Sequence, residues 1–401
     1  MNTIIYLGFV TSNEDAYRVQ TSFAGNDAEF NFVTRILGEI NDSNLYICSY
    51  AYNIYNKHSF YMKKTSFDLK HKNNSIRCDA LPILNIPILR QITAYLNIYH
   101  YLDNLINYLL KQGENINDIM IITCNTYPLF SYPAIKIKKK YGCRLLTYLI
   151  DGFYNQESKN ILYRYNTIKA IKALVSYNGV IALCQNVIND FCSSIKKCIS
   201  ITPVDTLDND DLILQDEFDD SRFRLFFAGG IAPLNGIKEY IETLKYLDDT
   251  YSFYLYGRGE LSEYLTKCAK DDNRIYYKGA VEKRIVMQLE KQSDILFIIR
   301  PMEAEQQNNI TKYGLPYKLI EYLQSGIPII ASHMLAIPKE FDQYINYCEA
   351  NPLAIAQKII EIRNNYPIYK NKSLEAQKYM KENCSWEHYK KTVEEFLYGI
   401  H

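Results

Sequence analysis

Residues 312–332 read Lys-Tyr-Gly-Leu-Pro-Tyr-Lys-Leu-Ile-Glu-Tyr-Leu-Gln-Ser-Gly-Ile-Pro-Ile-Ile-Ala-Ser, a loop, a short helix and a buried strand within one run. Pro316 suits the first turn of a helix, where its missing N–H costs nothing. Leu319, Ile320 and Leu323 recur at helical spacing, and Gly326 fits the helix C-terminus. Residues 327–331 then form a short, wholly apolar segment, the pattern of a parallel strand covered on both faces. A helix that turns into such a strand through one glycine commits this part of the chain to an α/β layer arrangement.

The same run carries chemistry. A helix opening at a loop offers free N–H groups and the positive end of its dipole, which suits a phosphate. Lys318 adds a full charge in the first turn. Glu321, one turn on, presents a carboxylate able to accept from the two hydroxyls of a ribose. Diphosphate and ribose side by side describe a sugar nucleotide. On these residues the chain resembles the retaining nucleotide-sugar glycosyltransferases of the GT-B fold, family 4. Their signature is two glutamates eight positions apart ahead of a Gly-x-Pro strand. The second matches Glu321, five residues before Gly326; the first falls on Tyr313. Pro316, Lys318, Glu321 and Tyr322 match the branch that carries Pro-x-Lys-x-x-Glu-Tyr. The resemblance implies Glu321 on the ribose and Tyr313 near the transferred sugar or its phosphates. It also implies Lys318 and the amides of Leu315 and Tyr317 on the diphosphate. The plain alternative is an α/β helix with one lysine and one glutamate on its wet face.

The chain is long for one core, at 401 residues, and suits two. Apolar runs at 3–10, 45–50, 81–86, 118–123, 144–153, 180–183 and 199–202 predict strands. Helical patterns over 27–40, 92–110 and 168–176 fall between them, giving a first Rossmann-like domain over 1–203. Residues 204–221 are acidic and irregular and predict a linker. The α/β pattern restarts over 222–384, and Trp386 opens a last helix within 385–401. GT-B enzymes return that helix to the first domain. The expected fold class is α/β, with two Rossmann-like domains facing a cleft.

In the second half, the strand near 224–228 runs into Gly229 and Gly230, which let backbone approach a phosphate closely. The resembled family ends this loop with Lys-Gly; here Asn235-Gly236 stands there, so the charge must come from elsewhere. Gly257-Arg258-Gly259 matches the family's next Gly-x-Gly turn, and Arg258 is one substitute for the missing lysine. Ala280 and Val281 follow a further strand and, by the resemblance, meet the nucleobase through backbone atoms. Arg300 ends the apolar strand near 295–300, where a guanidinium suits bidentate phosphate binding. Glu303 and Glu305 follow it, as in that branch; an Arg300–Glu303 pair pinning the loop is the structural alternative.

In the first half, Gly25 and Asn26 match the family's loop beside acceptor and transferred sugar, although Asn26 or Asp27 also fits a helix N-cap. Asp151 takes the place of the polar pair at a strand end beside the reacting sugar. Lysines interleaved with aromatics at 57–72 and 136–144 suit an anionic lipid surface or a solvated helix face. Lys+Arg and Asp+Glu both total 45, so charge gives no case for a nucleic-acid partner. Ten scattered cysteines without a C-x-x-C pair read as reduced core residues in a cytoplasmic protein. Six dispersed histidines give no metal-ligand spacing. Asp208-Asn209-Asp210 matches a metal-holding D-x-D only formally and reads as a solvated hinge.

The expectation is a metal-independent, cofactor-free glycosyltransferase moving a sugar from a UDP-, GDP- or other nucleoside-diphosphate donor to a saccharide, lipid-linked by inference, at the inner face of the membrane in bacterial surface polysaccharide synthesis. Catalysis falls to Arg300, Lys318 and Asp151. Two alternatives stand beside it, an inactive partner subunit of the same fold and a sugar-nucleotide epimerase. A nicotinamide oxidoreductase is disfavoured, because no G-x-G-x-x-G follows the first strand.

Overall fold

In a computed structural model, the described residues are 2–10, 27–40, 43–49, 60–71, 74–84, 86, 89–150, 152–153, 160–204, 218, 221–301 and 310–399. The chain forms two compact units, Met1–Pro203 with Trp386–His401, and Val204–Ser385.

The first unit is built on β1 (Asn2–Gly8), β2 (Ser43–Ser49), β3 (Thr65–His71), β4 (Asn74–Ala80), β5 (Ile119–Cys124), β6 (Arg144–Leu149), β7 (Gly179–Ala182) and β8 (Lys197–Ser200). Their order is β8-β7-β6-β5-β1-β2-β4-β3. All neighbours are parallel except the β3–β4 hairpin. Every residue of β5 is buried, as a strand covered on both faces requires. The Leu89–Lys111 helix buries Ala94, Ile98, Leu102, Ile106 and Leu109, one stripe at helical spacing, and packs with the Pro128–Tyr141 helix over the sheet. The last helix, Trp386–Tyr398, buries Trp386, Val393 and Leu397 and lies on the π-helical segment Phe32–Ile36. Lys390 Nζ sits 3.2 Å from Glu39, and Tyr389 Oη 3.1 Å from Thr202 Oγ1.

Three expectations for this unit change. The basic stretch at 57–72 contributes the edge strand β3 and not a helix face. Leu69 points inward and is buried, while exposed Lys64 pairs with Asp79 at 3.2 Å; an edge strand needs only this alternation, which the flanking lysines obscure. The strand expected at 81–86 is present but short, Ile83–Leu84, paired antiparallel with Tyr61–Met62, and β4 precedes it as a further strand. The helix expected from 168 begins at Ile161, where Asn160 Oδ1 accepts from the amides of Leu162 at 3.0 Å and Tyr163 at 3.3 Å.

The second unit is a six-stranded parallel sheet of β9 (Phe223–Ala228), β10 (Tyr251–Tyr256), β11 (Ile275–Gly279), β12 (Ile295–Ile298), β13 (Ile329–Ala331) and β14 (Asn346–Tyr347). The order β11-β10-β9-β12-β13-β14 reverses between β9 and β12. Such a reversal opens a crevice beyond the strand ends, where α/β sheets take their ligands. Tyr240, Phe253 and Phe297 pack ring against ring beneath it, with centroids 5.1–5.4 Å apart. Tyr240 Oη accepts from Ile299 N at 3.0 Å, and Tyr322 Oη from Ala228 N at 3.2 Å. The two tyrosines thus lock the ends of β12 and β9 to neighbouring helices.

Candidate donor site of the second unit

Three glycine loops leave the sheet side by side. Gly229 and Gly230 follow β9, Gly257–Gly259 follows β10, and Gly279 ends β11. The ladder continues past the strands, from Gly229 N to Tyr256 O at 3.0 Å, Ile231 N to Arg258 O at 3.0 Å, and Gly257 N to Gly279 O at 2.8 Å. Gly257 has φ +133°, and a Cβ there would fall 1.8 Å from Gly229 O. At Gly259 it would meet Ile231 O at 2.2 Å. No side chain fits between these loops, so they present bare backbone to anything above them. Arg258 stands exposed on the middle loop; Ala280 is exposed and Val281 half-buried after the third.

Arg300 lies just beyond β12, across the switch point from Gly229. Its backbone N donates to Ser332 Oγ at 2.9 Å. Its Nη1 donates to Leu234 O at 3.2 Å and to Asn235 Oδ1. Asn235 Nδ2 in turn donates to Gly230 O at 2.6 Å. A guanidinium therefore reaches the loop position where the resembled family has lysine, through a contact that the sequence reading did not foresee. Burial presses the Arg300 pKa down, but a guanidinium stays charged at any ordinary pH. Glu303 and Glu305 lie outside the described residues.

The helix of the 312–332 run spans Tyr317–Ser325. Pro316 occupies its N-cap position and Gly326, at φ +72°, its left-handed C-cap. Leu315 therefore precedes the helix, and its amide is not one of the helix-end donors, a correction to the expected amide pair. The ring of Pro316 forces the residue before it out of helical geometry. Tyr313 is buried one turn upstream.

Lys318 and Glu321 meet each other. Lys318 Nζ lies 3.1 Å from Glu321 Oε2, and Lys283 Nζ lies 2.9 Å from Glu321 Oε1. Lys318 Nζ is also 3.7 Å from Glu290 Oε1. The Glu321 side chain is 9% exposed and that of Glu290 3%. Burial alone would raise the Glu321 pKa, but Lys318 and Lys283 outweigh it and hold the carboxyl at about 2. For Glu290 burial wins: the carboxyl rises to about 7, against the pull of Lys318. Glu290 and Lys283, both on the Lys283–Gln292 helix, are two residues that sequence reasoning missed. The signal for Glu290 was there, because it stands on that helix's buried stripe, one turn after Val286 and Met287.

Of the expected residues in the first unit, Gly25, Asn26 and Asp151 lie outside the described residues, as do Asp208 and Asp210. Where β5 ends, Asn125 holds φ +54°, and its Oδ1 accepts from Ile150 N at 2.9 Å. Beside it, after β1, buried Glu29 accepts from Tyr6 Oη at 3.0 Å and Phe9 N at 2.8 Å. Neither residue stood out in the sequence. Among the described residues, no three His, Cys, Asp or Glu side chains gather to hold a metal ion, and no helix is long and apolar enough to cross a membrane.

Comparison with known proteins agrees with this geometry. Residues 222–365 match the family model of group 1 glycosyl transferases, so the second unit is a glycosyltransferase domain, the domain of a transferase enzyme. No curated protein matches the sequence. Among solved structures, HepE of Anabaena in complex with UDP superposes with a TM-score of 0.66 at 13% identity, over 100% of both chains. The UDP-forming trehalose-phosphate synthase of Burkholderia xenovorans with glucose-6-phosphate gives 0.66 at 10%, again over 100% of both. The lipopolysaccharide outer core galactosyltransferase WaaB gives 0.61 at 13%, over 99% of both. At these identities the likeness establishes the fold, which is GT-B.

Proposed function

We propose that the protein transfers a glycosyl group from a nucleoside-diphosphate sugar to a saccharide hydroxyl with retention of configuration, in the manner of family 4. The observation that carries this reading is Glu321, a buried carboxylate kept ionised by two lysines beside a crevice floored with bare backbone. Glu321 accepts from the ribose hydroxyls, and Ala280 and Val281 border the base. The diphosphate lies over Gly229, Gly230 and Gly257, with Lys318, the Tyr317 amide and Arg300 around it; Tyr313 lines the sugar's side. As the C–O bond to the diphosphate breaks, negative charge grows on the leaving oxygen, and these cations stabilise it. The acceptor oxygen bonds to the anomeric carbon and its proton passes to the departing phosphate. HepE has been solved with UDP and with UDP-glucose, which supports a uridine donor.

The acceptor in this reading is a lipid-linked saccharide met at an anionic membrane surface, as in capsule or exopolysaccharide assembly. The supporting observation is the outer face of the Ile161–Leu174 helix. It exposes Ile161, Leu162, Tyr165 and Ile168 among Arg164, Lys169 and Lys172, with no acidic residue on the helix. By contrast, within 136–144 Lys138 is spent on Ser176 O at 2.6 Å and Lys140 on Asp103 at 2.6 Å.

Thermal shift against UDP-, GDP- and ADP-sugars tests the donor site, since a bound donor raises the melting temperature. No stabilisation by any of them refutes it. Sedimentation with phosphatidylglycerol vesicles at low and high salt tests the surface; no binding at low salt makes the acceptor a soluble one.

A further inference from the structure

We propose that Glu290 is a positioning residue for the donor's diphosphate, holding Lys318 in the empty site and taking up a proton when the diphosphate takes Lys318 over. The inference rests on the donor reading above. Its ground is geometric. Glu290 points from the buried stripe of its helix toward Lys318, the nearest cation at 3.7 Å, and its Oε1 accepts no hydrogen bond among the described residues. Lys318 already serves Glu321 at 3.1 Å, so Glu290 holds the looser claim on it.

The charges around Glu290 define the response. Lys318, Glu321 and Tyr322 face it from the Tyr317–Ser325 helix, and Lys283 from its own. With both carboxylates ionised, two lysines balance two glutamates and the cluster is neutral. A diphosphate arriving at Lys318 adds a like charge beside a carboxylate already short of hydrogen bonds. Like charges and desolvation both favour the neutral acid. Burial already holds Glu290 at about 7, so a further rise on binding falls within the neutral range. The Glu290 carboxylate then takes one proton from solvent, leaving a net positive cluster around the diphosphate. Because the complex holds one proton more than the free protein, donor binding weakens as pH rises, by up to about tenfold per pH unit above about 7.

The test is isothermal titration calorimetry with UDP-glucose, UDP-galactose, UDP-N-acetylglucosamine and GDP-mannose, from about pH 6 to about pH 8.5, in two buffers of different ionisation enthalpy. Intact sugar nucleotides serve better than free diphosphates, whose terminal phosphate titrates near pH 6. The wild-type protein is expected to take up a fraction of a proton that peaks between the free and bound pKa values. Glu290→Gln is expected to show none, with affinity independent of pH and higher than wild type at the alkaline end. Glu290→Met, apolar and of similar length, behaves as the glutamine variant does if the proton is Glu290's own. Equal proton uptake in wild type and both variants overturns the proposal and leaves the donor site standing. Failure of all four sugar nucleotides to bind overturns both.

Discussion

Replacing Glu321 by Gln keeps its volume and removes its charge, and the structure sets the size of the loss. A carboxyl held at about 2, against an ordinary 4.5, is worth about 3 kcal/mol to the folded state at neutral pH. Lys283 is 36% exposed, so its share is screened by water; about 2 kcal/mol is the figure to expect. The depressed pKa fixes the pH window. The contribution is complete above about 4.5 and is lost as pH falls towards 2. With an unfolding slope of about 2 kcal/mol per molar urea, the second unit's midpoint falls by roughly 1 M at pH 7. Circular dichroism follows that transition. The fluorescence of Trp386, the chain's single tryptophan, reports the first unit and serves as an internal control that does not move. An unchanged midpoint at pH 7, or a deficit that persists in full at about pH 3, refutes the reasoning.

Arg300→Lys keeps a charge but replaces the guanidinium whose Nη1 serves both Leu234 O and Asn235 Oδ1 with a shorter ammonium. Donor affinity, measured by calorimetry, is expected to fall roughly ten- to a hundredfold, with the dichroism spectrum unchanged. Gly257→Ala forces a Cβ to 1.8 Å from Gly229 O at φ +133° and is expected to cost more than about 3 kcal/mol in urea unfolding; Gly113→Ala, at φ +90° in open space, costs only about 1. Transfer activity is expected to survive EDTA, because Arg300, Lys318 and the helix end meet the leaving group's charge; loss restored by Mn²⁺ would shift the role to Asp208 and Asp210.

Residues 312–332 were legible because helix start, helix stop and strand are all local there: Gly326 does sit at the left-handed C-cap, and β13 does follow it. The glycine loops were equally legible, since glycine in an apolar α/β context has few other uses. What local pattern could not carry was the partnership of side chains. Lys318 was assigned to a ligand and Glu321 to another, yet the two close on each other and recruit Lys283 and Glu290 from a helix some thirty residues away. Arg300 and Asn235, sixty-five positions apart, meet only because β9 and β12 are neighbours at the point where strand order reverses. The β3–β4 hairpin escaped because charged residues on an exposed edge look the same in a strand as in a helix.

The first unit is assembled from both ends of the chain, whereas the second is one uninterrupted segment. During synthesis the second unit can therefore complete its fold while the first still lacks the helix that buries Trp386, Val393 and Leu397. Until the ribosome has passed Tyr398, the groove over Phe32–Ile36 has no cover, and chaperones have a defined apolar surface to guard. The same order of events tells an engineer where to cut: an isolated first unit needs its last helix joined back through a short linker near Pro203.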